Sequence, residues 1–176
     1  VFVENPKAAT LQTAFVQPRP PYLINGESLF ALRPAPLQGQ HQHVIQARVT
    51  NKQAPGAAAP APDKHALPLQ GLRVLDATAW WAGPSATQML AHLGAEVIHL
   101  EAIQRPDGAR MMGGVHAHQS DWYEYSAMFL SANTNKLGMT LNLDHASGVA
   151  IARELLGHCD VFIENYSPRV IEKFGL

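Results

Sequence analysis

Two short apolar runs, residues 72–76 (LRVLD) and Glu96–Glu101 (EVIHLE), flank a segment that opens on Gly83-Pro84-Ser85 and closes on Gly94. No other feature narrows the fold so far. The runs have the length and character of strands buried on both faces, as in a parallel sheet. The segment between them spaces Ala86, Met89, Leu90 and Leu93 by three and four, which predicts a helix with those four on its apolar face. Pro84 suits a first helical turn, where its missing N–H does no harm, and Gly94 suits a left-handed cap. Strand, helix and strand in about thirty residues make a β–α–β unit, the start of an open α/β sheet.

The pattern returns downstream. Residues 139–143 are strand-like, residues 147–157 helical, and residues 160–164 (DVFIE) form another buried run. A short helix follows, with Ser167 as its cap, Pro168 first, Val170, Ile171 and Phe174 on one face and Gly175 at its end. Residues 102–138 read as a long loop, with Gly108, Gly113 and Gly114 and an aromatic group at Trp122, Tyr123 and Tyr125. Loops of that length in an α/β domain usually carry function.

Residues 69–176 therefore read as a Rossmann-like open parallel sheet, and the rest of the chain differs in kind. Residues 49–68 (VTNKQAPGAAAPAPDKHALP) hold almost no large apolar side chain, and their prolines favour an extended linker. Residues 1–48 form an irregular, β-rich tail too poor in apolar groups to bury a core alone. Strand candidates there are Phe2-Val3, Phe15-Val16 and Tyr22-Leu23-Ile24. Asn25-Gly26 is a hairpin turn in type, because both residues tolerate positive φ. Ser28 to Leu32 would return, and Pro34 and Pro36 would stop it.

Charge excludes several partners. The chain has 13 basic and 14 acidic residues, for a formal net charge of −1. Neither side of the linker forms a basic block, which argues against nucleic acid or an anionic membrane. Charged residues make up 15%, against about 25% in typical soluble domains, so apolar area is expected to face another chain or another part of this one. The lone cysteine, Cys159, excludes an internal disulfide and reads as a small buried thiol. No apolar run reaches the roughly 18–20 residues of a membrane helix, and no signal peptide is evident at the first residues. A cytoplasmic, reducing setting is the expectation. The first residue is Val1 rather than Met, which suggests a piece of something longer.

In open α/β sheets ligands bind beyond the carboxyl ends of the strands. Here these are residues 78–83 (TAWWAG), residues 101–110, and Asn165-Tyr166-Ser167. The first and third lead into helix starts, where free N–H groups favour an anion. Tyr166 suits a flat ring, and Lys136 and Lys173 suit phosphate. Equally, Gly83 and Pro84 would merely shape a turn, and both lysines would be solvated. Glu101, eighteen residues after Gly83, is placed where a dinucleotide's ribose would need an acid. However, TAWWAGPSA has a single Gly and no G-x-G-x-x-G, and Trp80 and Trp81 would crowd a pyrophosphate. His41/His43 and His116/His118 have H-x-H spacing, but no third metal ligand is evident, and no G-x-S-x-G elbow supports a serine nucleophile.

LPLQGLRVLDATAWWAGPSATQMLAHLGAEVIHLEAIQRPDGAR resembles the opening of a class III CoA-transferase of the CaiB/BaiF family. NTNKLGMTLNLDHASGVAIARELLGHCDVFIENYSPRVIEKFGL resembles that family's next block, with N-x-N-K, a D-V-x-x-E-N-[FY] stretch and a final G-L in order. Together they cover residues 68–176 almost continuously. PPYLINGESLFALRPAPLQGQHQHVI is similar to the closing stretch of such a chain. A fragment across the junction of two tandem-fused units is therefore the expectation, with self-association or an intramolecular pseudo-dimer to complete it.

The resemblance implies transfer of coenzyme A between carboxylic acids, through an Asp that attacks the acyl-CoA. No permanent cofactor is implied; CoA and its thioesters are substrates. The residues carried over for CoA contact are Trp80, Trp81, Ala82, Lys136, Asn165, Tyr166 and Lys173. Ala102 stands where some members have a basic residue, which removes one phosphate contact. The catalytic Asp would lie beyond Leu176, since none of Asp76, Asp107, Asp121, Asp144 or Asp160 matches its place. This chain alone is thus expected to be inactive. Two other readings remain open: an α-methylacyl-CoA racemase-like enzyme, and a non-catalytic half that serves only to pair.

Overall fold

A computed structural model describes residues 2–5, 15–18, 23–27, 37, 39–40, 42–43, 66–112 and 120–176. The chain divides into two units, Val1–His65 and Ala66–Leu176.

In the first unit β1 (Phe2–Asn5) pairs antiparallel with β2 (Phe15–Pro18), with Phe2 opposite Pro18 and Asn5 opposite Phe15. Ile24 and Glu27 exchange backbone hydrogen bonds of 2.9 and 3.0 Å across Asn25 and Gly26. Their φ values of 53° and 82° are what a two-residue hairpin turn of the expected kind requires. The expected return over Ser28 to Leu32, the linker before Ala66, and His41, His116 and His118 lie outside the described residues.

The second unit is a four-stranded parallel sheet with helices on both faces. In chain order it contains β3 (Arg73–Ala77), α1 (Ala82–His92), β4 (Glu96–Glu101), α2 (Ala127–Asn133), β5 (Leu137–Thr140), α3 (Ala146–Leu156), β6 (Val161–Glu164) and α4 (Pro168–Phe174). The spatial order is β5-β4-β3-β6, all parallel. The strand order reverses between β3 and β6, and beyond their carboxyl ends lies the crevice where such sheets take ligands.

Strand alternation builds the two faces. Val74 and Val97 turn one way and pack with Ala91, Ala95 and the partly buried Leu90, Val161 and Ile163, under α1. Leu75, Ala77 and Leu100 turn the other way and pack with Ala152, Leu143, Phe162, Cys159 and Phe174, under α3 and α4. Burying a Val or Leu side chain in such layers contributes about 1.5–3 kcal/mol each. Gly94, at φ 105°, and Gly175, at φ 66°, end α1 and α4 as expected.

Three sequence expectations change. The buried residues of α1 are Pro84, Thr87, Ala91 and His92, whereas Ala86 and Met89 are exposed and Leu90 and Leu93 are only partly buried. The helix is turned so that the Thr87 hydroxyl reaches the sheet, a polar anchor that apolar spacing does not register. β5 begins two residues early, and only Leu141 extends its pairing, donating to the Glu101 carbonyl at 3.0 Å. The supposed loop over residues 102–138 contains two 3-10 turns, Gly108–Met111 and Trp122–Glu124, and all of α2. Ser126 caps α2, accepting from the Phe129 N–H at 3.3 Å.

Candidate functional site

Asp76 and His99 face each other across β3 and β4, on the α1 side of the sheet and one step from its carboxyl edge. Here the apolar layer gives way to a buried polar one. The fully buried Asp76 carboxylate accepts from the Thr78 N–H (3.0 Å) and hydroxyl (2.5 Å), the Thr87 hydroxyl (2.7 Å), His99 Nδ1 (3.1 Å) and Lys136 Nζ (2.9 Å). Burial by itself would raise this carboxyl. The His99 hydrogen bond and charge, the Lys136 ammonium and the Thr78 hydroxyl outweigh it, and hold the group far below the usual carboxylate range. Asp76 is thus a fixed anion whose hydrogen bonds set the turn leaving β3.

That turn is held from two further sides. Asn165, just past β6, accepts from the Ala79 N–H and donates to the Ala79 carbonyl, both at 2.9 Å, so its side-chain amide clasps one residue of the neighbouring loop. The buried Asp107 accepts from the Trp80 and Ala109 N–H groups at 2.9 Å each. Trp80 is kept at φ 74°, an uncommon conformation for a bulky side chain. Its indole lies against Gly108, where any Cβ would overlap the ring. A Cβ on Gly83 would likewise overlap Thr78, so the start of α1 approaches the sheet as closely as only Gly permits.

Asp107 is positioned in turn by Glu101, which accepts its N–H at 2.8 Å and pairs with Arg110 through two bonds of 2.8 Å. Burial pushes the Glu101 carboxyl up, but the Arg110 hydrogen bonds and charge and the Asp107 N–H bring it below its ordinary value. The Arg110 guanidinium also lies 3.6 Å from the Phe129 ring centroid, a cation–π contact that ties this loop to α2. Glu101 therefore braces a loop and is occupied where a dinucleotide would need a ribose acceptor.

The residues singled out in the sequence divide into three groups. Trp80, Trp81 and Ala82 stand together on the exposed β3–α1 turn, with 55% and 52% of the two tryptophans in solvent, and Asn165 joins them through Ala79. Trp81 borders an open apolar depression with Ala127, Met128 and Ser131. Tyr166, next to Asn165 in the chain, is half-buried and edge-on to Phe174 at 6.2 Å, with burial raising its phenol despite the Arg105 charge. The two lysines differ. The Lys136 side chain is only 2% exposed, and its three donors reach Asp76, the Pro84 carbonyl (2.9 Å) and Asn133 (2.8 Å), which leaves none for a phosphate outside. Lys173 is exposed and lies 3.5 Å from Asp144, its hydrogen-bond partner among the described residues.

Cys159 is half-buried against the α3 layer, and burial pushes its thiol up to about 11, so it is a protonated packing group at neutral pH. Among the described residues no three His, Cys, Asp or Glu side chains gather as a metal site. None of their helices is long and apolar enough to cross a membrane.

The profile of CoA-transferase family III matches residues 69–176, the whole of the sheet and its helices. The chain belongs to CoA-transferase family III. Among the family's curated proteins, the succinyl-CoA:glutarate CoA-transferase of Mus musculus is 42% identical over 109 residues, covering 62% of this chain and 24% of its own. The beta subunit of succinyl-CoA–L-malate CoA-transferase from Chloroflexus aurantiacus is 37% identical over 110 residues, covering 62% and 26%. Among solved structures, the Mycobacterium tuberculosis protein Rv3272 is similar at a TM-score of 0.54 and 37% identity, covering 63% of this chain and 28% of that one. A CaiB/BaiF family protein from Brucella suis follows at 0.51 and 32%. The chain spans about a quarter of the length of these relatives. In this family III chain, the residues that sequence reasoning missed are Thr87, His99 and Asp107. Their signal was faint: a Thr inside the predicted helix, a His inside EVIHLE, and an Asp in the loop that follows it.

Proposed function

We propose that this chain carries the CoA-binding α/β portion of an acyl-CoA:carboxylate CoA-transferase, which moves coenzyme A between carboxylic acids through an aspartyl intermediate. The observation that carries this reading is the β3–α1 turn, locked at the strand-order reversal by Asp76, Asp107 and Asn165, within the segment that matches the family. Trp80, Trp81, Ala82, Asn165 and Tyr166 are its CoA-facing group, and Lys173 reaches the nucleotide from outside. The turn supplies peptide N–H groups and a close backbone approach at Gly83, while the two indoles offer flat apolar surface to the thioester arm.

The nucleophilic Asp is outside this chain. In support, each aspartate among the described residues is buried or has a hydrogen-bond partner within the chain. Asp76 and Asp107 are buried, Asp121 accepts from the Tyr125 hydroxyl (3.1 Å), Asp144 pairs with Lys173, and Asp160 accepts from the Arg73 N–H (2.8 Å). The chain alone then turns over no acyl-CoA, and measurable CoA exchange by it would overturn that statement. The partners are an acyl-CoA, a carboxylic acid, and a second copy or unit that completes the site; the setting is cytoplasmic. The test of the reading is calorimetry with CoA. One-site saturable binding supports it, and no binding favours a half that serves only to pair.

A further inference from the structure

We propose that Lys136 is a positioning residue for the CoA site, acting through the β3–α1 turn and not by touching a phosphate. The inference rests on the CoA-binding reading above and changes what one residue of that site does. Lys136 follows α2, yet its ammonium joins three separate places: Asp76 at the end of β3, the Pro84 carbonyl in the first turn of α1, and Asn133 in the last turn of α2. An ammonium has three donors, and these acceptors saturate them. The 2% exposure of the Lys136 side chain leaves its ammonium no face toward a ligand in the crevice.

The electrostatics agree. Lys136 and Asp76 form a buried ion pair, with Nζ 2.9 Å from Oδ2, so the carboxylate offsets much of the ammonium's pull on an anion outside. What reaches the surface is geometry. Asp76 fixes Thr78 through its N–H and hydroxyl, Thr78 forms the surface on which Gly83 is seated, and Lys136 holds the next residue, Pro84, by its carbonyl. Loss of the tie releases the first turn of α1, and with it Trp80, Trp81 and Ala82.

Three ligands separate positioning from phosphate contact: CoA, dephospho-CoA and pantetheine, titrated into the unaltered chain and into Lys136→Met at a temperature where both are fully folded. Positioning predicts a common loss of about tenfold for all three, equivalent to about 1.4 kcal/mol. It also predicts a shifted emission from Trp80 and Trp81 in a Trp122→Phe background. Because Lys136→Met leaves Asp76 buried without its ammonium partner, Asn133→Ala serves as a milder variant that removes one of the three ties. The same pattern at smaller amplitude is expected from it. A loss for CoA that spares pantetheine would overturn the inference in favour of phosphate contact. Unchanged affinities and emission in folded variants would overturn it in favour of a purely structural pair. Failure of the unaltered chain to bind any of the three would instead refute the CoA reading itself.

Discussion

At the scale of single residues, Asp76 governs how the protein responds to acid. Its folded pKa lies below that of an unfolded Asp, about 3.9. The stability it contributes is therefore fully present above about pH 4 and is lost as pH falls through the depressed folded value. Glu101 acts with the same sign. The buried His92, whose pKa is lowered by burial and by the Lys136 charge, adds a loss that begins as pH falls below about 6.5, the unfolded histidine value. Urea unfolding from pH 2 to 7 should show a shallow decline below about pH 6 and a steeper acid limb, with Asp76→Asn flattening only the acid limb, from a lower starting point. Cys159 offers a second check, since a thiol at about 11 holds little thiolate at pH 8. It should react with an aromatic disulfide at least about tenfold more slowly than free cysteine, and faster as pH rises toward 10.

At the scale of elements, the turn between β3 and α1, which we propose faces CoA, is held by residues remote in sequence. Asn165→Ala removes two hydrogen bonds to Ala79 and should cost about 1 kcal/mol, a small effect because the clasp is exposed. Amide exchange at Ala79 and Trp80 should quicken more than in the sheet. Gly108→Ala places a methyl group inside the Trp80 ring and should shift tryptophan emission to the red, while the core strands keep their exchange protection. An unchanged emission spectrum would mean that the indole does not rest on Gly108.

Strand and cap positions are legible in the sequence because their causes are local. EVIHLE matches β4 residue for residue, and Pro168 and Gly175 bound α4, although the Ser167 side chain makes no capping hydrogen bond, since apolar runs and backbone preferences act within a few residues. The site is legible only in outline. Family-like motifs bring out Trp80, Trp81, Ala82 and Asn165, but the Asp76–His99 pairing depends on strand register, and Lys136 meets Asp76 from sixty residues away. A basic residue in N-x-N-K suggests a phosphate ligand until register shows the buried carboxylate beside it. The apolar face of α1 escapes apolar spacing for a related reason, because Thr87 is buried by a hydrogen bond and not by hydrophobicity.

At the scale of the whole molecule, family membership rests on residues 69–176, which form one parallel sheet with its helices, in a chain spanning about a quarter of its relatives. The turn proposed to face CoA lies within that span. The central claim is accordingly that this sheet edge receives coenzyme A, and calorimetric titration of the chain with CoA tests it most directly. The account predicts a saturable one-site isotherm that disappears in Gly83→Val, whose side chain would collide with Thr78 and push the start of α1 away from the sheet. A flat isotherm from folded, unaltered protein, or full binding retained by folded Gly83→Val, would contradict it.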